Sequence, residues 1–171
     1  MTEQTTQKKY ELLKDDTVEH LGRTLYRIKA LITFGLVGAG QLGGYIETEK
    51  NLDHSGNAWV YGDARVYGDA CVYGNAGVYD NAWVYGNARV YGNARVYGNA
   101  RVYGNARVYG NARVYGDARV YGDAWVSGDA LVRSFAVISE RKMIFCASNV
   151  GPKNRTLTVF NGKYGLIVTR G

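Results

Sequence analysis

Proline occurs once, histidine twice, cysteine twice and phenylalanine four times in the 171 residues. A single proline argues against a proline-rich linker and, despite 23 glycines, against a collagen-like array. Two histidines, His20 and His54, are too few for a three-histidine metal site within one chain. Cys71 and Cys146 lie far apart with no CxxC spacing and read as free thiols, which points to a reducing compartment. The longest mostly apolar stretch, 30–40, is too short to span a bilayer, and residues 1–16 have no apolar signal-peptide core. The expectation is a cytoplasmic protein with no membrane partner and no cofactor. Charge is also lacking where it would be easiest to interpret. Residues 1–56 carry 7 Lys+Arg against 8 Asp+Glu, residues 57–132 carry 7 against 6, and residues 133–171 carry 7 against 1. The basic excess therefore belongs to the C-terminal segment alone.

Tyrosine is what the chain has in plenty, at 15 residues. The reason is a repeat, Val-Tyr-Gly-Asn-Ala-Arg, that runs with little drift from about residue 57. Valine recurs every sixth residue from Val60 to Val132, and alanine stands two before each valine from Ala58 to Ala130. Ala-Arg-Val-Tyr alternates inward and outward as a short strand does, with Ala and Val on one face. Gly followed by Asn or Asp then bends the chain. A period of six fits no helix, and a glycine every second turn would cost roughly 1 kcal/mol each. Strand and bend repeated in one rotational sense give a β-solenoid, its Val and Ala interior too full for a ligand.

The unit V-Y-G-N-A-R resembles the hexapeptide-repeat family of left-handed parallel β-helices, in which an aliphatic residue is followed four positions later by a small one. The resemblance implies an all-β fold with three hexapeptides per 18-residue coil. An 18-residue period never puts one of the repeat's aspartates over another, whereas a 12-residue period would set Asp117 against Asp129. It also puts Trp59, Trp83 and Trp125 on three different faces and sets Trp83 between Arg65 and Arg101, a cation–π arrangement. The expected layout is an N-terminal β cap over 1–56, a solenoid of four and a third coils over 57–138, and a basic C-terminal hairpin cap over 139–171. The caps answer the open ends of a solenoid. Strands are expected at 10–13, 17–21 and 23–31 with Gly22 in a turn, and at 142–147, 156–160 and 164–169, the last two joined by Asn161-Gly162-Lys163.

The stretch GRTLYRIKALITFGLVGAGQLGGYIETEKNL, leading into GNAWVYG, is similar to the lead-in segment of uncharacterised hexapeptide-repeat proteins of phages and prophages. GPKNRTLTVF with its hairpin is similar to their closing segment. In those proteins more sequence usually follows, so the resemblance implies a truncated or shorter variant ending at Gly171. It also implies a bacterial host cell as the setting, and by family analogy a homo-oligomer, most often a trimer.

The signs of catalysis are weak. Gly38, Gly40 and Gly43 spell GxGxxG, but no helix pattern follows and the repeats begin too soon for a βαβ unit, so a glycine-rich turn is expected. His54 beside Asp53 is not an orienting pair, because neighbours on a strand point oppositely, and no loop interrupts the array beside it. It reads as a turn histidine. Ser139 and Lys142 match SxxK by spacing alone. The outward Tyr and Arg are the types enriched at interface hot spots. The expected contact set is Trp83, Tyr85, Arg89, Tyr91, Arg95, Tyr97, Arg101, Tyr103, Arg107 and Trp125. These features point to a non-catalytic binding protein, and the resemblance to phage and prophage proteins implies that it engages a host protein, as an inhibitor of host or defence machinery. Three alternatives stand beside it: nucleic-acid binding through Arg141, Lys142, Lys153, Arg155, Lys163 and Arg170, a hexapeptide-repeat acyltransferase, or a self-assembling structural protein.

Overall fold

The computed structural model describes residues 7–133, 136–140, 144–150, 155–162 and 165–170. Three β-strands come first, β1 (Tyr10–His20), β2 (Arg23–Ala30) and β3 (Leu42–Ile46), followed by a 3-10 turn at Glu49–Asn51. Fourteen two-residue rungs follow, from β4 (Trp59–Val60) to β17 (Val137–Ile138). Each rung pairs in parallel with the one 18 residues on, as Arg95 does with Arg113 and Val96 with Val114. This is the period the aspartate spacing selects, and the chain is a parallel β-solenoid.

The three faces each carry one tryptophan. One face holds Arg65, Trp83, Arg101 and Arg119, a second Trp59, Gly77, Arg95 and Arg113, and the third Cys71, Arg89, Arg107 and Trp125. Inside, every repeat valine from Val60 to Val132 is fully buried, and every repeat alanine is at most 1% exposed. The interior is thus filled by Val and Ala side chains, as the composition implies.

The first coil starts before the repeat motif. Tyr45 and Ile46 pair in parallel with Arg65 and Val66, and Leu52 bridges Val72. Both offsets are 20 residues, so two extra residues enter ahead of Val60, within the loop around His54. With the rung at Val137–Ile138 the Trp83 face has six rungs and the solenoid about five coils. That exceeds four and a third because Ile46, Leu52 and Ile138 fill valine positions without matching the hexapeptide.

The bends repeat one geometry. From 62 to 128 eleven of the twelve turn positions are glycine at φ +59 to +71°, as at Gly98 and Gly104, and the other is Asp80. Asparagine follows, and its side chain spans coils. Asn75 donates to Asn93, Asn93 to Asn111, and Asn111 to Asp129, at 3.2, 3.1 and 2.9 Å. Asn87 donates to Asn105 and Asn105 to Asp123, each at 3.1 Å, and Asn99 donates to Asp117 at 3.1 Å. A carboxylate can only accept, so aspartate suits the last position of each column. Asn105→Asp removes a donor and stacks two carboxylates one rung apart. We expect it to lower stability by about 1 kcal/mol, with much of the loss recovered in 1 M salt, read by urea unfolding.

The N-terminal hairpin β1–β2 turns at Leu21 and Gly22, at φ +50 and +74°. Its pairing shifts between Leu13 and Thr17, so 10–13 and 17–20 form one bulged strand and not two. The solenoid's open end is closed by donors. Lys9 Nζ donates to the carbonyl of Ala58 at 2.9 Å, Tyr10 Oη to that of Leu52 at 2.6 Å, and Asn51 Nδ2 to those of Gly68 and Ala70 at 2.9 and 2.8 Å. At the far end the hydroxyl of Thr158 accepts from the Leu131 amide at 3.1 Å.

The C-terminal sheet has three antiparallel strands, β18 (Ile144–Val150), β19 (Arg155–Gly162) and β20 (Gly165–Arg170). Its hairpin differs in register from the sequence expectation. Asn161 pairs with Leu166 and Gly162 with Gly165, so Asn161-Gly162 ends a strand. Among the described residues no helix is long and apolar enough to cross a membrane.

Candidate functional site

The glycine-rich segment forms a turn and strand with no helix. Gly43 and Gly44 are needed for close approach, since a β-carbon on either would sit 2.6 Å from the carbonyl of Val60 or Ala64. His54 is not a free turn residue. Its ring stacks on Tyr10 at 4.2 Å and its Nδ1 accepts from the Lys9 amide at 3.2 Å, so it locks the cap to the first coil. His20 packs edge-on against Trp83 and Tyr67, and burial together with Arg65 and Arg101 holds its pKa below the usual histidine value. Cys71 is a free, half-buried thiol whose pKa is raised, mainly by burial. Among the described residues no cluster of His, Cys, Asp or Glu could hold a metal ion. Ser139 is described; Lys142 of the SxxK spacing is outside the described residues.

The outer faces carry the rest. Tyrosines one coil apart stack in columns, Tyr67–Tyr85–Tyr103–Tyr121 and Tyr73–Tyr91–Tyr109, with ring centroids 4.8 to 5.0 Å apart. Burial raises the pKa of Tyr67 to about 12 and that of Tyr73, Tyr85 and Tyr97 above the usual tyrosine value. Trp83 lies between Arg65 and Arg101, at 5.4 and 4.7 Å, and Trp125 takes Arg107 at 5.1 Å.

The ten expected contact residues do not share a surface. Trp83, Tyr85, Arg101 and Tyr103 lie along one face, Arg89, Tyr91, Arg107 and Trp125 along another, and Arg95 and Tyr97 along the third. Part of the first face is covered already, because Leu25 and Val18 of the hairpin pack with Tyr45, Tyr67 and Tyr85. Of the basic C-terminal set, Arg141, Lys142, Lys153 and Lys163 lie outside the described residues, and for Arg155 and Arg170 only the backbone is described.

The arginines form the unusual electrostatic feature. Arg89 pairs in register with Arg107, Arg95 with Arg113, and Arg101 with Arg119. Like charges directly opposite on adjacent strands repel, and no carboxylate offsets them. Every ion pair among the described residues lies in the N-terminal cap or at its junction, the last being Arg27 with Asp63 at 3.8 Å.

One face also breaks its own pattern. Where the repeat has arginine or tryptophan, residue 77 is glycine, and where it has glycine, residue 80 is aspartate at φ +59°. Tyr79 uses the space. Its ring lies over Gly77, where a β-carbon would overlap it, and stacks on Tyr61 at 4.4 Å. The next pair up, Tyr97 and Tyr115, stacks at 4.8 Å, but among the described residues Tyr79 does not stack on Tyr97. The break opens a cleft of about 460 Å³ lined by Tyr61, Tyr79, Tyr97, Arg95, Arg113 and Leu36, the last 98% exposed. Two departures from the repeat, only three residues apart in a nearly perfect array, are a signal already present in the sequence.

The family profile described as YdcK β-solenoid repeat matches the array at 58–73, 64–80, 82–98, 88–102, 94–110, 100–115, 106–122 and 112–128. The array is similar to YdcK β-solenoid repeats. Of these YdcK-type matches none starts at 70 or 76, the two registers that carry Gly77 and Asp80 well inside them. No curated protein matches the chain.

Proposed function

We propose that this chain is a non-catalytic β-solenoid that binds an acidic surface on another protein. The observation that carries the proposal is the set of three in-register arginine pairs, one on each face, with no carboxylate partner among the described residues. Keeping them costs stability, and a partner's carboxylates would remove that cost while the flanking tyrosine rings add apolar contact. The engagement of His54 supports a non-catalytic reading, since its Nδ1 and one ring face are used by the cap. The resemblance of the lead-in segment to phage and prophage proteins supports a cytoplasmic setting in a bacterial host, with inhibition of host or defence machinery as the role. Assembly as a trimer belongs to the same resemblance.

The test is a tagged pull-down from nuclease-treated bacterial lysate, read by mass spectrometry, with wild type and with Arg89→Glu/Arg107→Glu, Arg95→Glu/Arg113→Glu and Arg101→Glu/Arg119→Glu. We expect a stoichiometric protein that survives nuclease and falls at least 10-fold in one of the three variants, which names the contact face. Capture that disappears with nuclease would transfer the function to nucleic acid. Because like-charge repulsion is relieved, Arg113→Ala should leave the thermal midpoint unchanged or slightly higher, separating lost binding from lost folding.

A further inference from the structure

The cleft at Gly77 and Asp80 has a shape that its sequence neighbours lack. Elsewhere a tyrosine column offers only ring edges along its length, because each ring is stacked on the next. Here Tyr79 stays stacked on Tyr61 but lies over Gly77, and among the described residues the face of Tyr97 toward it has no stacked tyrosine neighbour. Arg95 and Arg113 stand beside that gap, exposed and without a carboxylate partner. The one acidic group at the rim, Asp80, turns a carboxylate oxygen to the Gly98 amide at 3.1 Å. Leu36 overhangs the opening, held out by the tight turn between Phe34 and Val37.

The cleft continues along the amide column of Asn75, Asn93 and Asn111. Each of these amides spends one N–H and one lone pair on its neighbours in the ladder and keeps the others for an extended chain alongside. An aromatic slot, two guanidinium groups one rung apart and a row of half-used amides fit one kind of occupant. We propose that this cleft binds an extended acidic peptide segment of a partner protein, seating one aromatic side chain against Tyr97 with neighbouring carboxylates on Arg95 and Arg113. Guanidinium groups suit carboxylates through paired N–H donors, and the ring contact supplies the apolar anchor that a hot spot needs. A nucleic-acid strand fits less well. Its charge recurs at every nucleotide, while this face offers two arginines and is bordered by Asp80 and Asp129.

This inference rests on the protein-binding proposal but is tested apart from it. Immobilised protein is panned against a phage-displayed library of random twelve-residue peptides, and the enriched peptides are then measured by fluorescence anisotropy. The decisive variant is Gly77→Arg/Asp80→Gly, which restores the repeat and takes away the space that Tyr79 uses over Gly77; circular dichroism confirms its fold. A second variant, Arg95→Ala, leaves the repeat backbone untouched. We expect enriched peptides to carry an aromatic residue flanked by Asp or Glu. Their affinity should fall at least 10-fold in both variants and stay within 2-fold in Lys50→Ala, in the N-terminal cap. Enrichment without acids or aromatics, equal affinity for the restored variant, or tighter binding of a twelve-nucleotide oligo-dT would overturn the cleft assignment. If lysate capture succeeds and the restored variant captures equally well, the cleft assignment fails while the binding proposal stands.

Discussion

Replacing Gly104 with alanine lowers the thermal midpoint by about 10 °C, and replacing Gly128 lowers it by about half as much. Both glycines sit in the left-handed region, at φ +69 and +62°. An L-residue there costs roughly 1–2 kcal/mol, which a domain of this size registers as about 2–4 °C per kcal/mol. The two sites differ in what lies above them. A β-carbon on Gly104 would come within 2.9 Å of the Gly122 amide nitrogen and 3.4 Å of its α-carbon and carbonyl oxygen, whereas one on Gly128 meets nothing within 4 Å. Backbone cannot swing aside as a side chain can, so the Gly104 variant must push two coils apart. Gly62 is intermediate, since the nearest atom to a β-carbon there is the Asp80 carbonyl oxygen at 3.5 Å. Thermal melts of the two alanine variants followed by circular dichroism make the comparison, and equal losses would mean that stacking contact adds nothing to backbone strain.

Stability against pH should pass through a maximum between about pH 9 and 10 and then fall steeply. Burial lowers the pKa of Lys9 from 10.5 to about 8, against an opposing pull from Asp53. The unfolded chain therefore holds that proton longer than the folded one, and stability rises as pH climbs from about 8 toward 10.5. Tyrosines act in the opposite direction. Burial raises Tyr10 well above its usual value of 10.0, with Glu49, Cys71 and Asp53 adding to the effect, and raises Tyr67 to about 12. The folded state keeps those protons after the unfolded state has released them, so their contribution is intact below pH 10 and is lost as pH rises through the folded values. Urea midpoints from pH 7 to 11.5, with tyrosinate absorbance at 295 nm as a second signal, follow both limbs. In Lys9→Met the rising limb should vanish while the falling limb stays. A variant that retains the rise would remove Lys9 as its source. The same variant withdraws a donor from the carbonyl of Ala58, so its midpoint at pH 7 also reports how that withdrawal balances against the cost of burying the charge.

Much of the fold could be read from spacing because the solenoid enforces it. Val and Ala at fixed offsets must share one interior, and the aspartate positions select 18 residues per coil, which the Asn99 to Asp117 hydrogen bond displays directly. What could not be read was anything that obeys the geometry without the motif. Tyr45, Ile46 and Leu52 build a coil from residues that do not look like V-Y-G-N-A-R, and the two-residue insertion near His54 hides the continuity. The contact set mixes residues of three faces because Tyr and Arg recur identically in every unit. Assigning them to three faces requires the coil period to be applied to each residue, and the cover that Val18 and Leu25 place over Tyr67 and Tyr85 has no local signature in sequence. The cleft is the reverse case. Gly77 and Asp80 were visible as exceptions, but their effect depends on Tyr79 changing its direction, which only packing decides.

The amide columns make the chain a ruler with a built-in index mark. Lengthening it by 18 residues in the middle, between Asn93 and Asn99 for example, adds one storey of about 4.8 Å and leaves every residue above facing the side it faced before. Lengthening it by six turns everything downstream through a third of a revolution, so that the arginines above the cleft would no longer stand over Gly77 and the C-terminal sheet would look out over a different face. Height and bearing are thus set separately, by whole coils and by single hexapeptides. A lineage that copied or deleted these near-identical units could move its two ends relative to each other in discrete steps without redesigning either one.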